Sequence, residues 1–149
     1  MSNGQTSGVV ASVQKDHREI EQMLDRVEAA SGDARRAAFE RLATKMKAHE
    51  TAEEQVVHPL AKQEGNGVTV DELVDEEDTA SQALQRLASM DVDSDEFEQA
   101  FTELKRDVRA HAQQEEREEH PSLMHDTSTE ELDRRAKMFE QAEQAATHS

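Results

Sequence analysis

His49-Glu-Thr-Ala-Glu53-Glu54-Gln-Val-Val-His58-Pro59 returns 62 residues later as His111-Ala-Gln-Gln-Glu115-Glu116-Arg-Glu-Glu-His120-Pro121. The two copies hold four of the chain's seven histidines and both of its prolines. His and Glu spaced four apart share one helix face, which is how a helix offers two ligands to one metal ion. Upstream, Phe39, Leu42 and Met46 match Phe101, Leu104 and Val108 at the same offset. The unit repeated is therefore a helical hairpin.

The remaining segments fit that reading. Helices are expected from about Gly8 to Ala30, Asp33 to Gln63, Thr69 to Met90 and Asp95 to Glu119, the last ending near Pro121. Ser31-Gly32-Asp33, Gly65-Asn66-Gly67 and the stretch from Asp91 to Ser94 supply the turns. Thr69-x-x-Glu72 and Ser128-x-x-Glu131 read as N-terminal capping boxes, the second opening a short fifth helix to about Ala146. Short connections favour an all-α, antiparallel up-down four-helix bundle. The expected organisation is a loose tail over 1–7, the bundle over 8–125, and a C-terminal helix and tail over 126–149.

Composition agrees. Of 149 residues, 34% are hydrophobic and 34% charged, with no Trp or Tyr and only five Gly. Good helix formers dominate. Cysteine is absent, so thiolate ligands, iron–sulfur clusters and disulfides are excluded, and a metal must take nitrogen and oxygen. His with carboxylate suits iron, manganese, zinc or copper. A formal charge of −17 argues against nucleic acid and anionic membrane as partners. The N-terminus shows no signal-peptide or membrane-span pattern, and a cytoplasmic location is expected.

Helical phase sorts the candidates. At about 100° per residue and with His49 at zero, Leu42 and Leu60 fall at about 20°, Met46 at about 60° and Glu53 at about 40°. Glu54 falls at about 140° and His58 at about 180°, both on the outer face of a straight helix. The second copy repeats this, with His111 and Glu115 inward and Glu116 outward. Val10, Val13, Ile20, Leu24 and Val27 surround His17, which is also inward. On the third helix, Asp78 is the positional match to His17, while Glu77 lies nearer the apolar stripe. Kinks at Pro59 and Pro121 could bring His58 and His120 inward. Glu118 and Glu119 stand where the first copy has Val56 and Val57, either as an acidic mouth or facing solvent. His125 and His148 have no assigned role. Burying His17, His49, Glu53, His111 and Glu115 together is costly unless they pair with one another or hold a metal.

These motifs resemble the hemerythrin-like domains that carry a histidine–histidine–glutamate cation-binding signature. The similarity covers roughly residues 9–121. It rests on Asp16-His17, on His49-x-x-x-Glu53-Glu54 with Pro59, on Glu76-Glu77 before Asp78, and on His111-x-x-x-Glu115-Glu116 with Pro121. The resemblance implies a non-haem di-iron centre, oxo- or hydroxo-bridged, open to dioxygen, peroxide or nitric oxide. Carried over, Glu53 and Glu115 bridge, His17 and His49 serve one iron, and His111 serves the other. The family has a histidine where this chain has Asp78. Such oxygen-rich ligation moves the expectation away from reversible oxygen carriage and toward oxidase or peroxide-consuming chemistry, or toward sensing or holding iron. A partner-binding or regulatory bundle with a structural metal is the alternative.

Overall fold

The computed structural model describes residues 6–65 and 67–147. The first five residues of the expected tail, Asn66 of the expected turn, and His148 lie outside them. Five helical stretches account for the bundle. Helix α1 is Gly8–Ala29. Helix α2 joins Gly32–Ala52, a π turn over Glu53–Val57, and His58–Gln63. Helix α3 is Gly67–Ala88. Helix α4 joins Asp95–Gln114, a second π turn over Glu115–Glu119, and His120–Asp126. Helix α5 is Thr129–Thr147.

Local chemistry explains most boundaries. Ser94 caps α4 by accepting the Phe97 N–H at 3.1 Å, and Ser128 accepts the Glu131 N–H at 3.1 Å ahead of α5. Arg35, almost fully buried, donates to the carbonyls of Val27, Glu28 and Ala30 at the end of α1 and to Val92 in the α3–α4 loop. One guanidinium thus satisfies orphan carbonyls from two connections on the same end of the bundle. Helix α3 begins at Gly67, so Thr69 already lies within it rather than capping it.

The larger departure concerns helix α4, which does not end at Pro121. The proline occupies the first turn of a resumed α-helix, after the π turn. There its missing N–H costs little, because a first-turn N–H has no helical acceptor to lose.

The apolar stripes form two cores. One gathers Leu24, Val27, Phe39, Leu42, Leu87, Phe97, Phe101 and Leu104 from α1–α4. The other gathers Val9, Val13, Val56, Val57, Leu60, Leu123, Leu132 and Phe139 at the opposite end. Between them lies a layer of histidines and carboxylates. Helix α5 packs along α1 and α2, and its Phe139 is fully buried, with ring centroid 5.9 Å from that of His49. Among the described residues, no helix is long and apolar enough to cross a membrane.

The seam between α1 and α5 is tight at one glycine. Gly8 has φ 59°, and a Cβ there would sit 2.6 Å from backbone atoms of Leu132. A left-handed L residue costs about 1–2 kcal/mol before any clash. Gly8→Ala should therefore destabilise the protein by at least about 2 kcal/mol. Urea denaturation checks this, and a midpoint equal to wild type would show that the seam opens freely.

Candidate metal centre

The polar layer is built from both copies of the repeated motif. In each long helix a π turn begins at the glutamate four residues after the first histidine. The His58 N–H bonds to the Glu53 carbonyl and the His120 N–H to the Glu115 carbonyl, five residues back rather than four. Each π turn absorbs one extra residue and so turns everything after it by about 100°. His58, at about 180° on a straight helix, comes round to about 80°. Both His58 and His120 are accordingly buried. The outward placement of these two histidines is corrected, and the cause is a wide turn rather than a simple bend at proline.

Three groups of possible ligands result, one of them Asp16, His49 and Glu143 and the other two sharing the central carboxylates. His17, His49, Glu53 and Glu115 have ligand atoms within 4.8 Å of one another, and so do Glu53, His58, Glu77 and Glu115. Glu53 and Glu115 belong to both groups, and both are fully buried. His111 Nε2 lies at the edge of the second group, 3.2 Å from Glu77 Oε2 and 3.1 Å from Glu115 Oε2. On α3, Glu77 is buried and takes its place in the layer, whereas Asp78 is exposed and does not. The positional match of Asp78 to His17 thus does not bring Asp78 into the layer, while Glu77, nearer the apolar stripe, lies within it. Glu54 and Glu116 are exposed.

The four histidines nearest these groups share one arrangement. Each turns Nε2 toward the central carboxylates and Nδ1 toward a carboxylate outside them. His17 Nδ1 meets Glu116 at 2.7 Å, His49 Nδ1 meets Asp16 at 2.8 Å, His58 Nδ1 meets Glu119 at 2.9 Å and His111 Nδ1 meets Glu76 at 2.8 Å. A histidine whose far nitrogen donates to a carboxylate is fixed in tautomer and orientation for metal binding through the near one. His120 differs, with the Gln14 amide 3.1 Å from Nδ1 and a buried Nε2 that has no partner.

Sequence reasoning gave Asp16 no role of its own and left Glu119 open. The signal for Glu119 was the break in the repeat, a carboxylate where the first copy has Val57. Asp16 also binds Lys45 at 2.8 Å, and Glu143 of α5 approaches the same group. Nothing in the repeat pointed to Glu143.

Electrostatics follows from this crowding. Burial opposes protonation of His17, but hydrogen bonds to Glu115 and Glu116 outweigh it and push its pKa up to about 9. His58, paired with Glu119 and Glu77 against the same opposition, is pushed up to about 11. His111, paired with Glu115 and Glu77, reaches about 12. Glu115 is held well below the carboxylate range by His111 and His17 despite its burial. Burial lowers His120, which stays neutral. The layer is therefore a lattice of imidazolium–carboxylate pairs, and it is imperfectly satisfied. Both oxygens of Glu53, Glu77 Oε1, Glu115 Oε2 and Glu119 Oε1 are buried and accept no hydrogen bond. Glu53 Oε1 is 2.9 Å from His49 Nε2, but not in hydrogen-bonding alignment. Buried carboxylate lone pairs without donors cost several kcal/mol, and a cation in their midst relieves that cost.

A family model for the hemerythrin HHE cation-binding domain matches residues 8–123. The chain belongs to that family. No curated protein and no solved structure matches it. The hemerythrin match spans both motif copies and both π turns and stops short of α5. In this hemerythrin-family chain, the donor set is nitrogen and carboxylate oxygen, the unpaired lone pairs converge, and the residues present fit a metal cation.

The choice on α3 is open to direct test. Glu77→Ala should lower metal content by about one ion per chain, and Asp78→Ala should leave it within error, because exposed substitutions rarely matter. Metal analysis of the two variants side by side decides this. Loss in Asp78→Ala alone would restore the positional match.

Proposed function

We propose that this chain is a di-iron protein that binds or reacts with dioxygen, peroxide or nitric oxide. The observation that carries the proposal is the sharing of Glu53 and Glu115 by two ligand groups. A carboxylate common to two groups could serve two cations at once and would hold them at the short separation such chemistry needs. His17, His49 and the bridging pair would hold one iron. His58, His111, Glu77 and the same pair would hold the other. His120, with its unpartnered Nε2, stands beside the first, its ring stacked on that of His17 with centroids 6.1 Å apart.

When bound, two irons supply a redox pair able to bind or reduce a diatomic ligand or peroxide. The chain's own contribution is orientation and exclusion of water. Asp16, Glu76, Glu116 and Glu119 orient the histidines from behind. Phe139 and the two apolar cores restrict solvent on either side. Glu50 lines the cavity beside the centre, and burial, with Glu77 and Glu53 nearby, pushes its pKa up to about 8. In the metal-free protein its carboxyl thus keeps a proton near neutrality. Carboxylate in place of histidine on α3 makes the second site harder, favouring the ferric state and oxidase or peroxide-consuming chemistry over reversible oxygen carriage.

The test is anaerobic titration with ferrous iron followed by exposure to dioxygen and, separately, to peroxide. Two irons per chain and a new absorption band after oxidation are expected, with no return to the reduced spectrum under vacuum. Saturation at one iron, or a reversible oxygenated spectrum, would overturn the reading.

A further inference from the structure

The polar layer opens into a cavity of about 400 Å³ between α1, α2, α3 and α4. One end is walled by His17, His49, Glu53, Glu77 and His111. The other end is apolar, with Leu24 and Met46 facing Ala80, Ala83, Ala100 and Leu104. The alanines make the room, since they are short side chains where two bundle helices would otherwise interdigitate. The space is far larger than a two-atom ligand requires. A cavity of about 150 Å³ already admits benzene, and a water occupies only about 30 Å³.

We infer that this cavity is a binding site for a neutral, mostly apolar organic molecule of two-ring size with a hydroxyl or hydroperoxyl group at one end. Apolar walls favour the body of such a molecule, and volumes of roughly 300–1,000 Å³ are typical of small-molecule sites. In the metal-free protein the polar end presents three buried oxygens of Glu53 and Glu77 that lack donors, and the O–H of a ligand would satisfy one of them. Charge selects against anions. Glu21, Glu53, Asp75, Glu76, Glu77, Glu103 and Asp107 on the wall outnumber Arg86, Arg109 and the imidazoliums of His17, His49 and His111, and Arg109 is already paired with Glu21. In the loaded protein, where those carboxylates would hold iron, the O–H or O–O group would lie at the metal end of the cavity. That placement rests on the di-iron reading, whereas binding itself does not.

The chain has no Trp or Tyr, so the fluorescence of an aromatic ligand can be read without protein background. Metal-free protein is titrated with 1-naphthol, naphthalene and 1-naphthoate. Saturable binding of one 1-naphthol per chain is expected, with naphthalene and naphthoate each at least tenfold weaker. Ala83→Phe and Ala100→Leu should each weaken 1-naphthol at least tenfold while helicity is retained. Ala80→Val, a smaller filling, serves if either larger one unfolds. Absence of saturable binding, equal affinity for naphthoate, or unchanged affinity in the filled variants overturns the inference. Iron stoichiometry of the same proteins is measured separately. In the unsubstituted protein, iron loading without 1-naphthol binding refutes the cavity alone, and 1-naphthol binding without iron loading refutes the di-iron reading alone.

Discussion

Glu53→Gln should abolish iron loading while the metal-free protein stays folded. Glu115→Gln should abolish loading and also cost stability. Both residues belong to both ligand groups, so removing either carboxylate deprives each cation of a ligand. Iron content is expected to fall from two per chain to fewer than one in either variant. The two differ in what they do without metal. Glu115 pairs with His17 at 2.9 Å and lies 3.1 Å from His111, and leaving those buried imidazoliums unpaired should cost about 3–5 kcal/mol. Glu53 pairs with His49 at 2.9 Å, but His49 keeps Asp16 at 2.8 Å on its other nitrogen, so replacing Glu53 should cost less than replacing Glu115. Metal analysis and urea denaturation of both variants check this. Full loading in Glu53→Gln would remove the bridging assignment. Equal stability losses would mean that the charge lattice is not carried by Glu115.

Metal-free and metal-loaded protein should respond to pH in opposite directions. His17 rises in the folded state to about 9 from an ordinary 6.5, so its contribution is complete below pH 6.5 and is lost as pH climbs through about 9. Glu50 and Glu143 rise to about 8 and Glu119 to about 7, each chiefly through burial. A carboxyl raised in the fold holds more protons there than in the unfolded chain, so stability falls as pH rises above its ordinary 4.5 and the loss is complete above 7 to 8. Asp16 and Glu115 are lowered, and their contributions fail only under strongly acid conditions. The metal-free protein should therefore be most stable at mildly acid pH and lose roughly 5 °C or more of Tm between pH 6 and pH 9. Metal binding requires deprotonated imidazoles, so the loaded protein should instead gain Tm from pH 5 to pH 7. Melting curves of both forms across this range check the crossing. Parallel curves would show that the metal does not displace the histidine protons.

Much of this architecture was legible in order of residues alone, for identifiable reasons. The apolar stripe through Leu42, Met46, Phe101 and Leu104 fixes helix faces, and with them the inward placement of His49, Glu53 and Glu115. The same stripe argument favoured Glu77, which lies in the layer, whereas alignment of the two hairpins favoured Asp78, which does not. Where reading failed, the cause was the assumption of a constant turn. Prolines at 59 and 121 signalled an irregularity, yet whether it would stop, bend or widen the helix depends on packing that no single segment encodes. That left His58 and His120 on the wrong face and ended helix α4 too early. Glu143 was out of reach because its approach to Asp16 depends on how α5 lies across α1 and α2, a tertiary fact.

Each long helix carries one residue more than a straight path would need, and the surplus sits at the same place in both halves. The matched position follows the doubled motif, with both π turns opening at its first glutamate. Removing a single residue from 53–57 or from 115–119 would let the backbone settle into a regular spiral, an easier conformation for the chain. It would also rotate His58 or His120 away from its companions. The sequence thus keeps, twice over, a less comfortable backbone whose benefit lies in the aim of one side chain per helix. Gain or loss of one codon there is a direct route by which relatives of this chain could change the number of nitrogen donors without exchanging any residue.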